Sequence, residues 1–161
     1  MIPTKRHLQF ASGYFALGMI AEATEELALI PREDWANADV LEARIELHMA
    51  KREWTMVVGF GEQLARRHPE NEHGWIGWAF ALRELNRVED AKVVLLEAES
   101  LHGEMCALVH YNLACYYCLL GEQVEAKKRL RIACKMDKQW KKAALDDEDL
   151  KAMWDDIAAM K

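Results

Sequence analysis

The sequence predicts an all-α fold, a solenoid of helix–turn–helix repeats, and three observations predict it. Gly18, Arg52, Asn86 and Gly121 recur at spacings of 34, 34 and 35 residues, each closing one helical pattern and opening the next. Small and large apolar residues keep the same register. Ala11, Ile45, Ala79 and Ala114 form one column, Ala23, Val57, Ala91 and Ala126 another, and Ile30, Leu64, Ala98 and Ala133 a third. Composition agrees: 3 Pro and 8 Gly in 161 residues, with 52% apolar residues, disfavour disorder and turn-rich β folds.

The repeats are expected at 4–37, 38–71, 72–106 and 107–138, within a single domain of residues 1–161. Their first helices are expected at 5–17, 38–50, 72–85 and 106–120, and their second helices at 20–30, 54–67, 88–101 and 122–135. Gly and Asn at the turn positions tolerate the left-handed conformation that ends a helix. Arg52 is the exception and calls for a different turn. Pro31, Asp34 and Asn37 punctuate the first link, His68-Pro69 and Asn71 the second, and His102-Gly103 the third. The second repeat is the most divergent: Arg44 falls among apolar positions, and Gly61 leaves a gap in the column Leu27, Leu95, Leu130. Residues 139–161 read as a cap. Trp140, Ala143, Ala144 and Leu145 continue a helix, and Asp146-Asp147-Glu148-Asp149 has turn and N-cap character. Leu150, Met153, Trp154 and Ile157 then share one helical face that can cover the last repeat.

The last repeat carries Tyr111-Asn112-Leu113-Ala114, Tyr117, Leu120-Gly121, Ala126, Leu130 and Ala133. The third carries Trp75, Trp78, Ala79, Leu82, Ala91, Leu95 and Ala98, and the first Phe10, Ala11, Tyr14, Gly18, Ala23 and Leu27. On these residues the chain resembles the tetratricopeptide repeat (TPR) family over about residues 4–138. The resemblance implies a right-handed superhelix whose first helices line a concave groove. Carried over, the register offers Lys5, Leu8, Ser12 and Phe15 from the first repeat and Asp39, Glu42, Glu46 and Met49 from the second. It offers His73, Ile76, Phe80 and Arg83 from the third, and Leu108, Tyr111, Cys115 and Cys118 from the fourth, with Asn112 beside them. The candidate peptide-binding residues are Leu8, Phe15, Glu42, Glu46, Met49, Ile76, Phe80, Arg83, Tyr111, Asn112 and Cys115. Such a surface suits an extended or helical segment with apolar anchors and a basic residue. The Lys and Asn arrangement by which some relatives grip a chaperone's C-terminal carboxylate is missing, because Leu8, Ser12, Glu46, Ile76 and Tyr111 stand in its place.

The expected function is therefore a non-catalytic protein-interaction scaffold or adaptor, with self-assembly into a homo-oligomer as the alternative. A formal net charge of -6, with Lys and Arg scattered among Asp and Glu, disfavours a nucleic-acid partner. No apolar run is long enough to insert in a membrane or to serve as an export signal after Lys5-Arg6, so the expected compartment is the cytoplasm. No cofactor is implied. Cys115-x-x-Cys118 would lie mid-helix, away from the helix N-terminus that lowers a redox thiol's pKa. His102, Cys106 and His110 are spaced i, i+4, i+8, but Gly103 interrupts that series, and a cysteine-based redox or metal role ranks last. The acidic run 146–149 lacks the spacing and glycine of a calcium loop.

Overall fold

The computed structural model describes residues 2–160, so Met1 and Lys161, the outermost residues of the predicted domain and cap, lie outside the description. The described residues form helices and no strands. The first compact unit ends at Leu85 and the second begins at Asn86. The first holds α1 (Thr4–Ala16), α2 (Ile20–Ala28), α3 (Ala38–Ala50), α4 (Trp54–Arg67) and α5 (Glu72–Glu84), with a 3-10 turn at Arg32–Asp34. The second holds α6 (Val88–His102), α7 (Ala107–Leu119), α8 (Gln123–Met136), α9 (Gln139–Asp146), a 3-10 segment (Glu148–Met153) and α10 (Trp154–Ala159).

The turns between paired helices share one construction. Gly18, Arg52, Asn86 and Gly121 all have positive φ, at 71°, 56°, 59° and 79°. After α1 the Gly18 N–H donates to the Phe15 carbonyl and the Met19 N–H to the Tyr14 carbonyl, both at 2.9 Å. The same two bonds recur at Arg52–Met49 and Glu53–His48, and at Gly121–Cys118 and Glu122–Tyr117. This is the Schellman closure, which satisfies carbonyls that a helix end leaves free. Arg52 therefore needs no different turn. It adopts the left-handed conformation with its side chain exposed.

The first core cluster joins Ala11 of α1, Leu27 of α2 and Val40 and Leu47 of α3, together with Ile30 of the intervening loop. The second joins Leu41 and Ile45 of α3, Val57 and Leu64 of α4, and Ala81 of α5. Ala11, Leu27, Ile30, Ile45, Val57 and Leu64 are periodic positions of the sequence, joined by Val40, Leu41, Leu47 and Ala81 from outside those columns, and a small residue facing a large one lets neighbouring helices interdigitate. Two polar contacts were not legible beforehand: buried His7 of α1 meets Glu26 of α2 with its Nδ1 2.6 Å from Oε1, and Thr4 donates to Asp34.

Gly61 is not a gap. A Cβ placed there would lie 2.8 Å from the backbone nitrogen of Trp78, so the absence of a side chain lets α5 press directly onto α4. Gly74 makes the reciprocal approach, where a Cβ would lie 2.7 Å from the Ala65 nitrogen. Trp78 is buried at this contact.

In the second unit the predicted cap forms, but as two short pieces rather than one helical face. The Asp147 carboxylate accepts the Asp149 N–H at 3.0 Å and starts the 3-10 segment, which passes into α10 at Trp154. Leu150, Met153 and Ile157 are buried, and the Trp154 indole donates to the Asp147 carbonyl at 3.2 Å. No helix among the described residues is long and apolar enough to cross a membrane.

Candidate functional site

The first unit carries an open trough with a cavity volume of about 800 Å³. Three helices supply its walls, each through residues three or four apart that share one helical face. Leu8, Ser12 and Phe15 come from α1, with Lys5 at its start. Glu42, Glu46 and Met49 come from α3, with Asp39 a turn earlier. His73, Ile76 and Gly77 come from α5. Gly77 matters to the floor: a Cβ there would stand 3.3 Å from Ile45 Cγ2 and 3.5 Å from Met49 Cε, so the glycine brings α5 close against α3.

The apolar part of the trough is only half covered. Leu8, Phe15, Met49 and Ile76 are each partly exposed and line the open cavity. The polar part is acidic. Glu42 accepts a hydrogen bond from the Asn71 side chain, whereas no ion pair ties Asp39 or Glu46 to another described residue. Lys5 is the cation of this lining. The trough therefore offers apolar surface beside carboxylates that have no counter-charge fixed on them.

Of the candidate residues, Leu8, Phe15, Glu42, Glu46, Met49 and Ile76 are brought together. Phe80 and Arg83 do not line the trough. Phe80 packs edge-on against Trp54 of α4, ring centroids 5.8 Å apart, and Arg83 pairs with Glu84 at 2.8 Å. Gln9, Ala43, Ile45 and Gly77 were missed. Gln9, Ala43 and Gly77 share one repeat register, one position after Leu8, Glu42 and Ile76, and that adjacency was the signal available.

Tyr111, Asn112 and Cys115 belong to the second unit. The Tyr111 hydroxyl donates to Asp147 Oδ2 at 2.8 Å, and its ring lies 4.6 Å from that of Trp140. The Cys115 thiol lies 3.7 Å from the same carboxylate oxygen. Asn112 is partly exposed. Burial first, then the Asp147 and Asp149 carboxylates, push the Cys115 thiol well above its ordinary pKa. Burial, then Asp149 and Asp147, also raises Cys118. Both groups are held as thiols, the opposite of what a redox pair needs. Cys115, Asp147 and Asp149 place ligand atoms within 4.8 Å of one another. Asp147 already receives Tyr111, Cys115 and the Asp149 amide, so this carboxylate is spent on closing the structure. His102 ends α6 and His110 lies within α7, which breaks the straight i, i+4, i+8 row; the His110 Nε2 instead lies 2.8 Å from the Gly103 carbonyl.

No protein-family model matches the chain, and no curated protein matches it in sequence. Solved structures do match. MamA superposes with a TM-score of 0.78 at 14% identity, covering 97% of this chain and 86% of that one. TTC0263, a thermophilic TPR protein of Thermus thermophilus, gives 0.70 at 18% identity over 97% and 99%. YrrB, a TPR protein with an unusual peptide-binding site, gives 0.70 at 14% identity over 92% and 74%. Paired helices at a 34-residue period, Schellman closures and these superpositions agree: the chain has the tetratricopeptide-repeat fold.

Proposed function

We propose that this chain is a non-catalytic interaction scaffold whose first-unit trough holds a peptide or helix bearing apolar anchors and a basic residue. The observation that carries this reading is the pairing of half-exposed Leu8, Phe15, Met49 and Ile76 with the unpaired carboxylates of Asp39 and Glu46 in one open cavity. Apolar side chains left uncovered in a concave surface supply affinity, and exposed carboxylates beside them favour a cationic partner. YrrB, a TPR protein with an unusual peptide-binding site, supports a role of this kind for the fold.

Selection from a random peptide display library tests it. The wild-type chain is expected to enrich sequences with an aliphatic or aromatic residue near Lys or Arg. Glu46→Lys should weaken those peptides at least tenfold, and Ile76→Glu should abolish them while the helical circular dichroism is kept. Peptides that bind both variants as well as wild type would sink the proposal.

One observation favours self-assembly as a second reading. In the column Phe10, Arg44, Trp78, Leu113, the later apolar members Trp78 and Leu113 are buried, whereas Phe10 is 42% exposed beneath Arg6. A second copy could cover it. Light scattering that shows a monomer at every concentration, for both wild type and Phe10→Glu, would remove that reading.

A further inference from the structure

The repeat register equates Tyr111 of α7 with Leu8, Glu42 and Ile76, Cys115 with Ser12 and Glu46, and Cys118 with Phe15 and Met49. In the first unit these residues of α1, α3 and α5 line the open trough, whereas Phe80 and Arg83, of the same register as Cys115 and Cys118, lie outside it. In the second unit Tyr111, Cys115 and Cys118 are all buried, and the 3-10 segment Glu148–Met153 packs along α7. We propose that this α7 face is a second peptide-binding surface, which the chain fills with the 3-10 part of its own segment 147–160. A partner segment of the same chemistry, an aspartate followed three and six residues later by leucine and methionine, enters by displacing it. This inference rests on the reading of the trough column as a ligand surface.

The seated segment has the form of a docked peptide rather than of another repeat. It comprises a six-residue 3-10 turn and a six-residue helix, both shorter than a helix that is stable alone, joined to α9 through Asp147 in an extended conformation. Its contacts divide into a polar head and an apolar body. At the head, Asp147 takes the Tyr111 hydroxyl at 2.8 Å and the Cys115 thiol at 3.7 Å. In the body, Leu150 and Met153 are fully buried, and Lys127 fastens Asp156 of α10 at 2.6 Å. The donors on α7 are neutral and point at a carboxylate, so this face selects an acidic segment where the acidic first-unit trough selects a basic one.

Fluorescence anisotropy with a labelled synthetic peptide copying residues 146–160 tests the proposal on the full chain. A tethered copy at millimolar effective concentration competes with the free peptide, so wild type should bind it about 100-fold more weakly than a chain whose own segment is dislodged by Leu150→Asp with Ile157→Asp. Adding Tyr111→Phe to the dislodged chain should weaken binding again by about tenfold. Adding Ile76→Glu instead should change nothing. If the dislodged chain keeps its helicity but binds no better than wild type, the proposal is overturned. It is equally overturned if Ile76→Glu removes the binding, an outcome that leaves the trough reading standing. Should the dislodged chain unfold, hydrogen exchange on wild type decides. Amides of 148–159 exchanging at least tenfold faster than those of α7 and α8 support a removable segment, and equal rates overturn it.

Discussion

Arg44 sits one residue before the small-residue column of its repeat, where Trp78 and Leu113 are buried, and its sequence position alone suggested a defect. The structure instead places its guanidinium 4.5 Å from the Trp35 ring and 5.5 Å from Phe60, so a flat cation fills the space of an apolar side chain. The arrangement has a cost: its Nε is buried without a hydrogen-bond partner, and burial lowers the guanidinium pKa. A cation–π contact contributes about 0.5–2 kcal/mol and an unsatisfied buried donor costs about 1–3 kcal/mol. The two nearly cancel, and Arg44→Leu should move the stability measured by urea unfolding by less than about 1 kcal/mol. Arg52 invites a change in the opposite sense. A non-glycine residue at φ 56° is strained and its side chain is exposed, so Arg52→Gly should stabilise by up to about 1 kcal/mol in the same assay. Cys115 gives a pH signature. Its thiol pKa is raised in the fold, so the stability it contributes is fully present below the ordinary thiol pKa and is lost as pH rises through the folded value. The melting temperature should fall between pH 8 and pH 10.5, and Cys115→Ala should flatten that fall; an unchanged slope would contradict the assignment.

Helices were the most legible level of structure, because a 3.6-residue apolar period repeated at intervals of about 34 leaves few alternatives. α3 and α4 span the expected residues, and the others shift by one or two positions at their ends. What the pattern could not convey was pairing between non-repeating neighbours. Gly61 read as a missing side chain because periodicity registers only what a position contains, not what presses on it from the next helix. The segment after α9 was read as a cap from its i, i+3, i+4, i+7 spacing, and Leu150, Met153 and Ile157 are indeed buried. That the 3-10 segment lies along α7 depends on the turn at Asp147, which carries no repeat signal. At this scale Leu150→Ala, which truncates a fully buried side chain, should cost about 2–4 kcal/mol in the second unit and raise the labelling rate of Cys115 by a thiol reagent. A labelling rate unchanged at equal helicity would show that the segment does not shield the thiol.

Across the whole chain, the candidate trough was legible where first helices repeat in the first unit and illegible where the chain covers its own surface. Leu8, Glu42, Glu46, Met49 and Ile76 line one trough, whereas Phe80 and Arg83 of the same register face elsewhere and Tyr111 and Cys115 are buried. Periodicity specifies nearest-neighbour stacking, and a non-repeating tail is outside its reach. The division after Leu85 was also invisible, since the repeat spacing runs unbroken through Leu85-Asn86. The net charge of -6 and the free carboxylates of the trough make a salt prediction: raising salt from 50 to 500 mM should weaken a basic peptide several-fold, and a salt-independent affinity would mean that Asp39 and Glu46 play no part. The contact at Gly61 acts on that same trough from behind. A methyl group there cannot be accommodated by turning a side chain, because it meets the Trp78 backbone, so α5 must move as a rigid rod and carry Ile76 and Gly77 with it. Gly61 is in effect the set-screw of the candidate trough. Gly61→Ala is expected to cost about 1–3 kcal/mol of stability and to change peptide affinity from a residue that no peptide touches.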